Sequence, residues 1–341
     1  MDVFSTEYLA GVVEDLKTPP AFAFNRYFGD QRTFETEAID FDVIDRKRRI
    51  APLVSPLVPG KVMNQAGRKV TSIKPAYVKD KRVFDPNNGF KRAVGETIGG
   101  SLTAAQRIEM AIVSELDDQL NLLARRQEVM SMEALRTGKL VLSGENYPAV
   151  TLDFQRDASL SPAGLNGGAN AWDQGTSDPL ANLKAWALLV KQKSGLYPND
   201  VLMAVNVFAA FVSHAKVEKR WQAANANIIN IDLKLGEALD EAATFMGRIE
   251  GFNLFVYADW YVDETDTEQA IHPDGWITMA HARVDGIRAY GAIKDHEALR
   301  AMPYFPKSWA ENDPSVRYLM LQSAPVVAPL RPNATLGVRV L

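Results

Sequence analysis

The spacing of apolar and polar positions changes period several times along this chain, and each change marks an element. Ile108, Ile112, Leu116, Leu120, Leu123 and Met130 recur at three-, four- and seven-residue intervals, while Glu109, Glu115, Asp118, Arg125 and Glu128 lie largely off that stripe. The spacing predicts one helix over residues 102–137. Thr103 and Gln106 make a capping box at its start and Gly138 stands at its C-cap. At about 1.5 Å per residue it spans roughly 54 Å, about two to three times the usual helix length. A coiled coil is the bland alternative, but the stripe drifts and lacks regular flanking charges.

Ahead of this helix the pattern is extended. Residues 62–70 and 72–84 are strand-forming runs bounded by Pro59, Gly60, Gly67 and the turn-rich stretch 85–89, and they predict a two-stranded excursion. Few of its side chains are strongly apolar and a lone ribbon is only marginally stable, so this hairpin is expected to lean on another subunit. Residues 1–50 read as an arm. A short helix over 6–16 is stopped by Pro19 and Pro20. The aromatics Phe22, Phe24, Tyr27, Phe28 and Phe34 then need a surface, which either the chain's own body or a neighbouring copy supplies. Strict alternation over 38–43 predicts one more strand.

Beyond the long helix, strands are expected at 139–142 and 149–154, then a polar loop over 159–177 and a helix over 179–193. Residues 204–224 read as helical, 228–233 as extended, 235–245 as helical, and 252–262 and 276–282 as extended. This alternation predicts a second, α+β body over about 197–295. Residues 317–341 are strand-like and punctuated by proline, and are expected to return to the first body's sheet.

Charge adds a second layer. The 341-residue chain is net −4, yet residues 60–92 carry Lys61, Arg68, Lys69, Lys74, Lys79, Lys81, Arg82, Lys91 and Arg92 against only Asp80 and Asp85. Of 38 basic and 42 acidic residues, 29 and 40 therefore lie elsewhere, so the remainder is acidic enough to attract this segment on another copy. That pattern suits a subunit that grips copies of itself. The absence of cysteine excludes disulfides, thiolate nucleophiles and thiolate metal sites. No apolar run has membrane-spanning length, and residues 1–16 lack the features of a signal peptide, so a soluble, unexported protein is expected.

The search for chemistry returns little. There is no phosphate-binding loop, Gly-x-Gly-x-x-Gly, Gly-x-Ser-x-Gly elbow or paired-histidine zinc motif. His214, His272, His281 and His296 have no ligand-like spacing, so no metal or cofactor is expected. Asp40, Asp42 and Asp45, like Asp263, Glu264 and Asp266, read as solvated surface or as docking partners for the basic segment. The run from Arg46 to Arg49 suggests a nucleic-acid patch, but beside three aspartates it is more simply an arm that pairs with an acidic neighbour.

Several short runs, weak singly, coincide in order. Leu53-Val-Ser-Pro-Leu-Val-Pro-Gly60, Ile73-Lys-Pro-Ala-Tyr-Val-Lys79, Gly138-Lys-Leu-Val-Leu-Ser-Gly-Glu145, Arg288-Ala-Tyr-Gly291, Pro306-Lys-Ser-Trp309 and Leu321-Gln-Ser-Ala-Pro325 span essentially the whole chain. In this arrangement the chain resembles the major capsid protein E family of lambda-like tailed phages. The resemblance implies an α+β, Hong Kong 97-type capsid fold: an N-terminal arm (1–52), an extended loop (53–94), a peripheral domain with a long spine helix (95–196, completed by 296–341) and an axial domain (197–295). It further implies a structural protein without catalytic residues that forms the pentamers and hexamers of an icosahedral head in the host cytoplasm, around non-specifically held double-stranded DNA. A separate scaffold protein, a portal and a decoration protein are the implied partners, and no membrane is.

Intersubunit contacts are expected from Lys61, Arg68, Lys69, Lys74, Lys79, Lys81 and Arg82 on the loop, and from Phe22, Phe24, Tyr27, Phe28, Arg46 and Arg48 on the arm. The loop lysines also make a lysine–asparagine cross-link conceivable, although no matching motif accompanies them. The alternatives are the shell of an encapsulin-like nanocompartment, which shares the fold, and a soluble enzyme of unrecognised type.

Overall fold

The structure, a computed structural model, describes residues 3–16, 21–36, 38–45, 50, 51, 53, 55, 56, 59, 67–84, 102–144, 147–165, 168–225, 243–263, 265–298, 301–312 and 315–341. At the N-terminus α1 (Thr6–Asp15) is capped by Ser5, whose hydroxyl accepts from the Tyr8 amide, and it buries Leu9 and Val13. Then come α2 (Phe22–Tyr27), the short β1 (Asp30–Thr33) and β2 (Ile39–Asp45), the last on the predicted alternation.

β2 pairs antiparallel with β3 (Gly67–Ile73), from Ile39 opposite Ile73 to Asp45 opposite Gly67. β4 (Val78–Phe84) pairs instead with a strand near the C-terminus, so the two runs expected to face each other as a hairpin do not. The link between them is the reason. Pro75 packs against Gly291, while the Tyr77 hydroxyl donates to the Ala292 carbonyl and accepts from the Lys294 amide, which pins residues 75–77 to a remote stretch.

The long helix, α3 (Ala104–Thr137), has 34 residues. Thr103 and Gln106 form the reciprocal capping box, and Gly138 ends the helix with φ +70°. Ile112, Leu116, Leu120, Leu123 and Met130 of the predicted stripe are buried. Gln119, Gln127, Glu128 and Ser131 are buried as well, so the contact face is wider than the apolar stripe alone. At its C-terminal end the Arg156 guanidinium donates to the carbonyls of Leu135 and Arg136 and to the hydroxyls of Thr335 and Ser161. This supplies donors to carbonyls that a helix end leaves unpaired. Burial and the neighbouring Arg136 charge push the Arg156 pKa down to about 10. β5 (Lys139–Gly144) and β6 (Tyr147–Asp153) then form a hairpin.

The second body is a five-stranded sheet with helices beside it. α4 (Pro179–Ser194) begins at Asp178, which accepts from the Ala181 amide, and ends at Gly195, φ +80°. It leads to β7 (Asp200–Ala204), α5 (Val205–Ser213) and α6 (Ala215–Asn225). The single helix expected over 204–224 thus begins with a strand residue and breaks at His214. The expected strand at 228–233 lies outside the described residues, as does 235–242. Residues 243–245 are extended and open β8 (Ala243–Ile249), which corrects the helix assigned there. β9 (Phe252–Tyr257), β10 (Trp260–Val262), β11 (Glu268–Ala270), β12 (Trp276–Ala280) and β13 (Gly286–Tyr290) follow.

The C-terminal strands are β14 (Phe305–Asn312), β15 (Ser315–Ser323), β16 (Pro325–Pro329) and β17 (Thr335–Arg339). β15 pairs with β14 and β4, and β16 with β13, which also pairs in parallel with β1. β17 does not return to the first body: it is the edge strand of the five-stranded sheet, in the order β17-β12-β7-β9-β8. Its apolar residues Leu336 and Val338 fill the second core beside Val201, Leu254 and Ile277, and burial on that face overrides chain order. Among the described residues no helix is long and apolar enough to cross a membrane.

Candidate assembly surface

Along one flank of α3 runs an apolar groove with no covering element among the described residues. It holds about 520 Å³ between the start of β4, the middle of α3 and β10, with Val78, Leu123, Val129, Tyr261 and Leu321 in its walls. A second hollow of about 440 Å³ continues it toward β5 and shares Val78, Arg126, Val129 and Tyr261. Large apolar side chains stand out at its edges: Leu122 is 47% exposed, Val262 58% and Val141 45%. Apolar surface concentrated in this way marks an interaction site. Arg125, Arg126 and Lys79 also line it, with Asp80 as the one acidic residue, so the groove is apolar with a mainly basic margin.

The expected contact residues divide into three groups. Lys61, Arg46 and Arg48 lie outside the described residues. Arg68 and Lys69 sit on β3, opposite Ile44 and Val43, and Lys74 and Lys79 are exposed. Arg82 is among the residues expected to contact a neighbouring subunit, and here it reaches α3 of its own chain. Its guanidinium donates to Asp80 at 2.9 Å, to Glu115 at 2.9 Å and to Asp118 at 2.6 Å. Burial alone would lower its pKa, but those carboxylates more than reverse that and hold the charge firmly. The cause is the register of β4 on β15, which lays this strand against α3 of the same chain. Lys81 is also engaged internally, its ammonium 3.8 Å from the centre of the Tyr318 ring.

The arm aromatics need a similar correction. Phe24 is 6% exposed, Tyr27 2% and Phe28 0%, all within one chain, and Phe22 packs against the same core, its ring 5.0 Å from that of Phe255. The chain's own body supplies a surface for them, so in the subunit these side chains pack as part of its core. Of the residues that fix them, Glu128 and Asp200 carry no sequence signal, and Arg288 stands out only as the first residue of one of the ordered runs. Glu128 in particular reads as solvent-facing from its place off the stripe, yet it is 2% exposed.

One Ser–His pair could suggest a nucleophile. Ser177 Oγ lies 3.2 Å from His214 Nε2. The Lys216 amide, however, donates to His214 Nδ1 at 3.3 Å, which places the ring proton on Nε2, and the Ser177 hydroxyl donates to the Gln174 carbonyl at 2.8 Å. Here the imidazole gives a hydrogen bond to serine and cannot accept its proton, so the pair ties the loop before α4 to the break between α5 and α6. Among the described residues no cluster of His, Asp or Glu is arranged to hold a metal.

The sequence profile of the phage major capsid protein E family matches residues 5–340. The chain belongs to that family. The major capsid proteins of Escherichia phage N15 and Enterobacteria phage P21 are each 27% identical to it, over 99% and 100% of both chains respectively. That of Escherichia phage lambda is 26% identical over 99% of both chains. The fold is also that of solved capsid subunits. A prophage capsid protein of E. coli CFT073 superposes with a TM-score of 0.74 at 22% identity, covering 98% of this chain and 99% of that one. The capsid protein of Ralstonia phage GP4 gives 0.50 at 11% identity, over 96% and 93%. In a major capsid protein E subunit of the Hong Kong 97 type, the 34-residue α3 is the long spine helix. The uncovered groove then lies along the spine.

Proposed function

We propose that this subunit associates into hexamers and pentamers that close as an icosahedral head around phage DNA, assembling in the host cytoplasm with a scaffold protein and, at specialised positions, a portal and a decoration protein. The observation that carries this reading is the family match along residues 5–340. The groove beside the spine helix supports it, because apolar surface with a mainly basic margin gains most when a neighbouring copy covers it. The β2–β3 ribbon is the element proposed to reach across, with Arg68 and Lys69 contacting an acidic neighbour, and repetition of modest contacts over many subunits stabilises the closed particle.

Electron microscopy of the protein expressed alone and together with a candidate scaffold protein tests this reading. Closed shells of uniform diameter are expected, and small monodisperse particles alone would sink it. Arg68→Glu with Lys69→Glu is expected to leave folded subunits, with unchanged circular dichroism and thermal midpoint, that form no shells. Normal shells from that double variant would remove the ribbon-docking step while leaving the shell itself. Arg82→Glu does not belong in this test, because its three carboxylate partners lie in the same chain.

A further inference from the structure

Residues 21–34 are tied to the rest of the subunit by three polar anchors from three different places. Glu128, in the middle of α3, accepts from the amide of Ala23 at 2.7 Å through one carboxylate oxygen and from that of Phe24 at 2.8 Å through the other. The same carboxylate accepts from the Tyr257 hydroxyl on β9. Asp200, on β7, accepts from Arg26 Nε at 2.8 Å and from the Tyr27 hydroxyl at 3.1 Å, with Asn253 Nδ2 at 2.8 Å on its other oxygen. Arg288, on β13, donates to the carbonyls of Phe28 and Phe24 and to Asn25 Oδ1. β1 continues the attachment through its parallel pairing with β13, and the Phe34 amide donates to the Tyr290 carbonyl.

The chemistry of α2 gives this arrangement a consequence. A helix of six residues is far below the length that is stable alone in water. Its first amides have no partner within the helix, and Ala21, at the N-cap, has no side chain to offer them. Glu128 performs the capping from another element, so α2 is helical only where it is docked. Conversely, undocking leaves a buried carboxylate with the Tyr257 hydroxyl as its remaining partner among these contacts. It also strips Asp200 of two of its three donors and takes away the acceptors described for Arg288. Each loss is costly in a buried site, so the anchors hold or release together.

We infer that residues 21–34 are a two-state strap, helical and docked or released as a unit, and that its release removes the bridge it makes between α3, β7 and β13. Glu128 is the positioning residue, because one carboxylate joins α2, α3 and β9. Groups of both signs surround it: Tyr257 touches it, Asp259 lies near in the segment after β9, and Arg288 faces it from β13.

Native-state hydrogen exchange on the unassembled full-length subunit tests the strap. In the unaltered protein, the protected amides between residues 23 and 34 are expected to exchange through one common opening, with a shared denaturant dependence, before those of β7, β9 and β12. Exchange of this segment only together with the central sheet, or piecemeal, would overturn the inference. Glu128→Gln keeps the shape but turns an NH2 toward one of the three donors. It is expected to speed exchange at 23–34 by about tenfold to a hundredfold and to leave β7 and β12 unchanged. Equal acceleration in the central sheet, or none at 23–34, would equally overturn it. These readouts need no shell, so a failure of the assembly reading would show separately, as wild-type protein that makes no particles.

Discussion

A carboxylate stays charged in a protein interior only if enough donors reach it, and this subunit contains both a loosely and a tightly held example. At Glu128 burial pushes the pKa up, while the Tyr257 hydroxyl and the amides of Phe24 and Ala23 pull it back only in part. Asp295 shows the opposite balance. Burial would raise it, but the Glu297 amide at 3.0 Å, Gln322 Nε2 at 2.9 Å and Lys307 Nζ at 3.0 Å bring it down to about 2. A depressed folded-state pKa means that the charged form favours the native state. The stabilisation from Asp295 is therefore complete above the unfolded value of about 3.9 and is lost as pH falls toward about 2. Lys307→Met is expected to raise the Asp295 pKa and to remove about 2 kcal/mol of stability at neutral pH, with a flatter profile between pH 4 and 2. Urea unfolding across that range measures it, and superimposable curves for the two proteins would refute the assignment.

Among the elements, the spine helix is the one whose boundaries can be read directly, because every signal for it is local: the stripe, the Thr103–Gln106 box and Gly138 all lie within the segment they define. Strand existence was legible for the same reason, over 38–43, 139–142 and 276–280, whereas strand partners were not. β3 and β4 are neighbours in sequence and both extended, yet each completes a ladder with a stretch far away, because Pro75 and Tyr77 between them are pinned to Gly291, Ala292 and Lys294, partners that no local pattern names. The close seating of β17 on the end of α3 is likewise invisible in composition. A Cβ added at Gly337 would lie 2.0 Å from the Arg136 carbonyl oxygen, which is backbone and cannot swing aside. Gly337→Ala is expected to cost about 3 kcal/mol or more by lifting the strand from the helix end. An unchanged denaturation midpoint would show that this contact is looser than described.

At the scale of the whole molecule, family membership was readable from ordered runs spread along the chain, while the division of labour within the arm was not. Aromatic spacing over 22–34 cannot distinguish a surface in the same chain from one in the next, since either buries the same rings. The basic segment misleads in a similar way, because charge counts do not reveal that Arg82 closes on Asp80, Glu115 and Asp118 of its own chain. Deletion of residues 1–29 separates the two views of the arm. Loss of the buried Phe24, Tyr27 and Phe28, each worth about 1.5–3 kcal/mol, is expected to yield a subunit that aggregates or loses cooperative melting. A purely intersubunit arm would leave the melting of the isolated chain unaltered.

Residues 315–341 supply β15 to the sheet of β4 and β14, β16 to that of β13 and β1, and β17 to the sheet of β12 and β7. Three ladders thus close only with this one stretch. A chain that has not yet made it leaves one edge each of β4, β13 and β12 without a native partner. The subunit therefore acquires its finished surfaces late in synthesis, since three sheets whose other strands are made earlier wait on residues 315–341 for a strand.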